Sequence, residues 1–200
     1  MEQQLDQFRL EVEKLLRASP QSEEHGLNPL KEVQTIFERL GNVFEYDNVT
    51  PIRIDLAKCT NEKQKKTPVF MASYLWMYEG VYTFWVDFFC HILIRKGHDL
   101  FDEFNRRYVF SFKEVQGVYT ATKLKFLKCH KLGIFERPQD RKLRNDMAHH
   151  NFVVDSSGVL KVEGRIVDIV ERYKDLLEFI ISVLQVYEDC KKTSRSRRVS

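Results

Sequence analysis

The most hydrophobic stretch of the chain runs from Val69 to Ile94 and reads VFMASYLWMYEGVYTFWVDFFCHILI. It is apolar on nearly every side, which is typical of a helix at the centre of a bundle. A membrane helix is disfavoured because Glu79 and Asp87 would both lie in the hydrocarbon, where an Asp at mid-depth costs ~2.5 to 3.5 kcal/mol. The stretch therefore predicts a buried central helix in an all-α protein.

Polar residues recur at every fourth position of this stretch and just beyond it, at Glu79, Thr83, Asp87, His91 and Arg95. This spacing places them on one slowly drifting stripe of the helix. The stripe has two interpretations. It faces solvent or a ladder of salt bridges, or it lines a functional groove.

The remaining sequence predicts further helices and one hairpin. Before the central helix we expect a helix over 3–17, a helix over 28–41 and a connector over 42–66, with Thr67-Pro68 as the next helix start. After it we expect a short helix over 100–110, a helix from the capping box at Ser111 to Gly133, a helix from Pro138, a hairpin over 152–162 and a long helix over 165–188. These elements predict an up-and-down helical bundle with a small β-hairpin.

The domain prediction follows from the same pattern. We expect an N-terminal helical extension and connector over 1–66, one helical domain over 67–190, and a disordered basic tail over 191–200 that has little to bury. The four cysteines, at Cys59, Cys90, Cys129 and Cys190, contain no C-x-x-C pair. Reduced thiols in a cytoplasmic protein are therefore expected, with no structural metal and no cofactor. The N-terminus resembles no secretory signal.

A basic run precedes the most chemically suggestive segment. Two acids, Glu136 and Asp140, lie among eight basic residues, which are Lys123, Lys125, Lys128, Lys131, Arg137, Arg141, Lys142 and Arg144. Because the net charge of the whole chain is only +3, the local distribution carries more information than the sum. The run is either an ordinary solvated helix face or a surface that binds RNA.

The run ends in the segment Arg144-Asn145-Asp146-Met147-Ala148-His149, followed by a second histidine, His150. Arg144 offers a rigid fork of donors that matches phosphate oxygens, and His149 is of the residue type that transfers protons near neutral pH. On a helix these two lie roughly 140° apart, so one copy does not project both from one face. Asn145 and His149 are four residues apart and share a face, which predicts that the amide orients the imidazole.

This segment, between a proline-started helix and a hairpin followed by a long helix, resembles the HEPN superfamily. The signature of that family is an Arg, often followed by Asn or Asp, with a His four to six residues later, and Arg144, Asn145 and His149 fit it. The resemblance covers 67–188 and leaves 1–66 unexplained. It implies a HEPN-like bundle with an acidic residue on the preceding core helix near the Arg, for which Glu79 and Asp87 are the loose candidates.

The resemblance also implies a function. Many members are metal-independent endoribonucleases whose homodimers bring two motifs together, which predicts cleavage of single-stranded RNA by attack of a ribose 2′-hydroxyl. Arg144, His149 and Asn145 would be catalytic, with Asp146 and His150 supporting. Six residues of the basic run would bind RNA, and they are Lys123, Lys125, Lys128, Lys131, Arg141 and Lys142. The alternatives are a non-catalytic RNA-binding or protein-assembly module and a toxin-like subunit neutralised by an antitoxin. No membrane partner is expected.

Overall fold

The computed structural model describes residues 2–17, 28–29, 31–35, 61–102, 107–138, 140–149 and 151–199. This part of the chain is mostly helical, as the sequence predicts for an all-α protein. The helices are α1 (Glu2–Arg17), α2 (Glu62–Trp76), a π-helix (Met77–Tyr82), α3 (Thr83–Arg95), α4 (Phe112–Gly117), α5 (Thr120–Cys129), a 3-10 helix (Gly133–Glu136), α6 (Arg141–Ala148) and α7 (Ile169–Val199).

The described strands form two small antiparallel sheets. Their bounds are β1 (Phe101–Asp102), β2 (Arg107–Tyr108), β3 (Phe152–Val154), β4 (Leu160–Val162) and β5 (Arg165–Val167). Strand β1 pairs with β2, and β4 lies between β3 and β5. The predicted hairpin is therefore part of a three-stranded sheet, because 165–167 forms a strand and α7 begins only at Ile169.

The chain divides into two compact units. The first unit comprises Met1–Val33, Tyr82–Arg137 and Ile180–Ser200, and the second comprises Gln34–Val81 and Pro138–Phe179. This division follows neither the predicted boundary at residue 66 nor the one at 190. Helix α1 belongs to the first unit together with α3, α4 and α5.

Aromatic rings form the core of the first unit. The ring of Phe8 on α1 lies 5.4 Å from Phe89 and 5.7 Å from Phe135, centroid to centroid, and all three side chains are fully buried. Edge-to-face pairs of this kind stabilise by about 0.5 to 1.5 kcal/mol beyond their buried area. Helix α1 is therefore an integral part of this core, where the sequence predicts an extension.

Helix α2 begins at Glu62 and not at Thr67-Pro68. The reason is a capping box. The side chain of Asn61 accepts from the Gln64 backbone N–H at 2.8 Å, and the side chain of Gln64 accepts from the Asn61 backbone N–H. Pro68 lies inside the helix, and the Thr67 hydroxyl donates to the Gly158 carbonyl at 2.7 Å instead of capping.

Two other predicted elements differ. Residues 100–110 contain β1 and β2 where a short helix is expected. The helix that the Ser111 capping box begins, as predicted, breaks at Val118, whose extended backbone separates α4 from α5. Helix α5 ends at Cys129, before Gly133.

The C-terminal helix α7 continues through Val199 and includes the residues predicted as a disordered tail. The ion pair of Lys192 with Glu188, one turn apart, accompanies this continuation, and no proline or glycine interrupts it. At the other end of the chain, Asn28 caps the described helical residues 31–35 as predicted, whereas 36–60 lie outside the described residues. Within the described ranges no helix combines the length and the apolarity that a membrane crossing requires.

The turn between β3 and β4 packs against the first turn of α2. The Ser156 carbonyl accepts from the side chains of Asn61 and Gln64. Gly158 has φ +79°, and a Cβ at this position would lie 2.6 Å from backbone atoms of Lys63 and Gln64. Glycine is required here both for its backbone conformation and for the missing side chain.

We predict that Gly158→Ala lowers the free energy of unfolding by roughly 3 to 4 kcal/mol, because the left-handed conformation is strained and the α2 backbone must also shift. Gly164 is a matched control, since its φ is +77° and a Cβ there would meet nothing within 4 Å. Gly164→Ala should cost only the conformational part, roughly 1 to 2 kcal/mol. Urea denaturation measures both, and equal losses would show that the turn is not closely packed on α2.

Candidate functional site

The predicted motif lies on helix α6, which begins after Asp140 and not at Pro138. The Asp140 carboxylate caps it by accepting from the Leu143 N–H at 3.0 Å. Leu143 and Met147, four residues apart, are both buried. Their burial fixes which face of the helix points inward, and so determines where the intervening side chains lie.

Arg144 is held by two neighbours in the second unit. Its Nε donates to Glu79 Oε1, and its Nη1 donates to Asn145 Oδ1 at 2.7 Å. The hydrogen bond that Arg144 donates to Glu79 raises the pKa of Arg144 above its usual value, although partial burial acts in the opposite direction. The side chain of Arg144 remains 34% exposed, so the guanidinium is oriented, permanently cationic and accessible.

Glu79 reaches Arg144 from the π-helix Met77–Tyr82. A π-helix is rare and often marks a functional site, because its wider turn changes the direction of the side chains on it. It also changes the four-residue repeat on which the predicted polar stripe depends. Glu79 and Arg95 are exposed whereas Asp87 is buried, so these residues do not form one polar stripe.

His149 is the C-terminal cap residue of α6 and is exposed. Its backbone N–H donates to the Asn145 carbonyl at 2.9 Å. The hydrogen bonds of the described residues include none of its imidazole, and the Asn145 Oδ1 accepts from Arg144 Nη1. The predicted contact between the Asn145 amide and the His149 imidazole is not among them, and the exposed imidazole is accessible.

The predicted supporting residues of the motif are Asp146 and His150. Asp146 is buried, and its Oδ2 has no hydrogen-bond partner within the described part of the chain. Its backbone carbonyl accepts from the Asn151 N–H at 2.7 Å, which ties the end of α6 to the start of the sheet. His150 lies outside the described residues.

Asp87, the other acidic candidate, belongs to a different interaction. Its Oδ1 accepts from Lys123 Nζ at 2.5 Å inside the first unit, and the two side chains are 4% and 2% exposed. Burial raises the pKa of Asp87, and the Lys123 ammonium opposes part of that rise. Lys123 is therefore a core residue, and the prediction that it binds RNA is wrong because its ammonium compensates a buried carboxylate.

The other basic residues do not form one helix face. Lys125, Lys128 and Lys131 are exposed in the first unit, where Lys128 pairs with Glu136 at 2.9 Å. Lys142 is exposed in the second unit and pairs with Glu163. The side chain of Arg141 lies outside the described residues. Surface pairs of this kind contribute little to stability and leave both partners accessible.

The ion pair of Asp87 with Lys123 joins residues 36 positions apart, so no local motif predicts it. The available signal was the Asp87 carboxylate in an almost continuous apolar run, because a buried charge requires a partner. Within the described residues no group of three or more His, Cys, Asp or Glu side chains is arranged to hold a metal ion.

Comparisons of the chain with family models, with curated proteins and with solved structures find no match.

We predict that Lys123→Met lowers the free energy of unfolding by about 3 to 5 kcal/mol, because it leaves the Asp87 carboxylate buried without a counter-charge. Adding Asp87→Leu should recover most of the loss, and the exposed control Lys125→Met should change stability by less than about 0.5 kcal/mol. Chemical denaturation of the three variants measures this. No recovery in the double variant would contradict an electrostatic cause.

The same variant should show a characteristic pH dependence. Burial already raises the pKa of Asp87 in the folded state above its unfolded value, and removing Lys123 removes the group that opposes this rise. A raised folded pKa means that the carboxyl penalises folding once it ionises. The deficit of Lys123→Met relative to the wild type should therefore shrink as the pH falls from neutral to mildly acidic.

Proposed function

We propose that this protein is a metal-independent endoribonuclease of the HEPN type that cleaves single-stranded RNA at a site shared by two copies of the motif. The observation that carries the proposal is the orientation and exposure of the two motif residues, Arg144 and His149. Arg144 is oriented by Glu79 and Asn145 yet partly exposed, and His149 stands exposed at the end of the same helix.

The surroundings of the motif support the HEPN-like fold. Helix α6 is followed by a small sheet and then by the long helix α7, in the order that the resemblance implies. Glu79, an acidic residue of the preceding core helix, contacts the motif Arg144. Members of the family often have an acidic residue at this place. The order of the elements is part of the resemblance itself, whereas the contact of Arg144 with Glu79 joins residues 65 positions apart and adds support of its own.

The chemistry proposed is internal transfer within RNA. The ribose 2′-oxygen attacks the adjacent phosphorus, the bond from phosphorus to the 5′-oxygen breaks, and the product carries a 2′,3′-cyclic phosphate. His149 takes the proton from the 2′-hydroxyl or gives one to the departing 5′-oxygen, while Arg144 stabilises the charge on the phosphorane-like transition state. Positioned proton transfer contributes about 10² to 10⁴ in rate and charge stabilisation about 3 to 4 kcal/mol.

A homodimer completes this site. The two groups lie roughly 140° apart around a single helix, so one copy presents them to different sides. Two copies of α6 facing each other across a two-fold axis would place the Arg144 of one copy near the His149 of the other. One histidine then acts as base and the second as acid on a single phosphate.

One observation favours a second candidate, a non-catalytic module that binds RNA or a protein partner such as an antitoxin. Glu79 and Asn145 already engage the Arg144 guanidinium. An Arg with its own carboxylate has less charge to offer a phosphate than a free one. The two candidates differ in whether RNA is cut, which a direct assay decides.

We expect wild-type protein to cleave a labelled single-stranded RNA in the presence of EDTA, leaving 2′,3′-cyclic phosphate ends. His149→Ala and Arg144→Ala should each reduce the rate by at least about 10² while circular dichroism and dimerisation stay unchanged. Lys174→Ala is the control, because Lys174 is an exposed lysine of the same unit that lies on α7, outside both the motif and the basic run. RNA that stays intact with the wild type supports the binding module instead.

Glu79 should act as a positioning residue for Arg144. Because both side chains are about a third or more exposed, their ion pair contributes less than about 1 kcal/mol to stability, so Glu79→Gln should leave the melting temperature nearly unchanged. We expect kcat to fall about tenfold with KM little affected, because the oriented guanidinium is needed in the transition state. Faster cleavage by Glu79→Gln would show that Glu79 masks Arg144 rather than orients it.

A further inference from the structure

The first unit contains a surface cavity of about 310 Å³ that the RNA-cleaving chemistry does not use. It lies between α1, the end of α3 and the end of α5. Its lining includes the thiol of Cys129, one carboxylate and five side chains with basic groups, which are Glu11, Lys14, Lys96, His98, His130 and Lys131. The apolar side chains of Leu15 and Leu93 line the same cavity.

The charge of this lining is strongly one-sided. Three ammonium groups stand against a single carboxylate, and that carboxylate, of Glu11, is already paired with Lys14 at 2.9 Å. Lys96 Nζ donates to the backbone carbonyl of Lys14 at 3.0 Å, which is a neutral partner. Partial burial lowers the pKa of Lys96. A bound anion would compensate the positive charge of this ammonium group, whose backbone partner is neutral.

Two imidazoles line the same cavity as the ammonium groups. The rings of His98 and His130 lie 4.2 Å apart, centroid to centroid, and Phe126 packs on His130 at 4.8 Å. Burial and the neighbouring His98 both lower the pKa of His130. Two adjacent imidazoles repel each other when both are protonated, and a ligand with two negative charges would offset that repulsion.

We propose that this cavity binds a small phosphomonoester, with its phosphate among Lys96, Lys131 and the two histidines and its organic part against Leu15 and Leu93. The volume lies at the lower end of the range of about 300 to 1,000 Å³ that small-molecule sites occupy. Lysine ammonium groups commonly bind phosphate as point charges. They do so without the fixed geometry that a guanidinium imposes. The inference does not depend on RNA cleavage.

Phenyl phosphate is a suitable probe, with inorganic phosphate for the charge alone. Isothermal titration calorimetry should show phenyl phosphate binding, and nuclear magnetic resonance should show the pKa of His130 rising on saturation, because the anion stabilises the imidazolium. Lys96→Gln and Lys131→Gln should each weaken binding by about tenfold or more. Lys125→Gln, which removes an exposed charge of the same unit outside the cavity, should leave the affinity unchanged.

The proposal fails if phenyl phosphate leaves the His98 and His130 resonances unmoved, or if Lys125→Gln weakens binding as much as Lys131→Gln. Oligonucleotides with a 5′-phosphate or a 5′-hydroxyl identify the source of the phosphate. In the His149→Ala background, a 5′-phosphorylated oligonucleotide that binds more tightly than its 5′-hydroxyl counterpart, with the difference lost in Lys131→Gln, assigns the site to an RNA end, and equal binding of the two assigns it to a free small molecule. His149→Ala should bind phenyl phosphate like the wild type, which separates this test from the nuclease test.

Discussion

The burial of Leu143 and Met147 is the constraint on which the candidate site depends. A helix of eight residues is not stable alone in water, so tertiary packing of these two side chains, with the Asp140 cap, holds α6 in place. That packing fixes the rotation of the helix and leads Arg144 toward Glu79. The ion pair itself is too exposed to hold the helix, and it refines the position of a guanidinium that hydrophobic burial has already placed.

Two ion pairs begin from one helical stretch and serve different purposes. Glu79 and Asp87 are eight residues apart, and each holds one cation, Arg144 and Lys123. The pair of Asp87 is buried, so its partners are costly to separate and unavailable to any ligand. The pair of Glu79 is partly exposed, so in the proposed cleavage it would cost little to rearrange as a phosphate approaches. Exposure, and not residue type, separates the structural pair from the one suited to chemistry.

Local signals in the sequence predicted much of this fold. The apolar run of the central helix, the capping box at Ser111 and the turn ending at Gly158 are each encoded within a few residues, and all three are present. Predictions that depended on distant partners were less reliable. A lysine in a helix is normally solvent-exposed. The burial of Lys123 is explained by its pairing with Asp87, 36 positions away, which no local pattern indicates. The cavity residues, from three separate segments, share no sequence pattern.

The small sheet after α6 connects the motif to the start of the central helical stretch. Its turn accepts hydrogen bonds from Asn61, Gln64 and Thr67 at the beginning of α2, while the Asn151 N–H binds the end of α6. Leu160 and Val162 of β4 are buried on its inner side. The sheet therefore contacts both helical segments that supply Glu79 and Arg144.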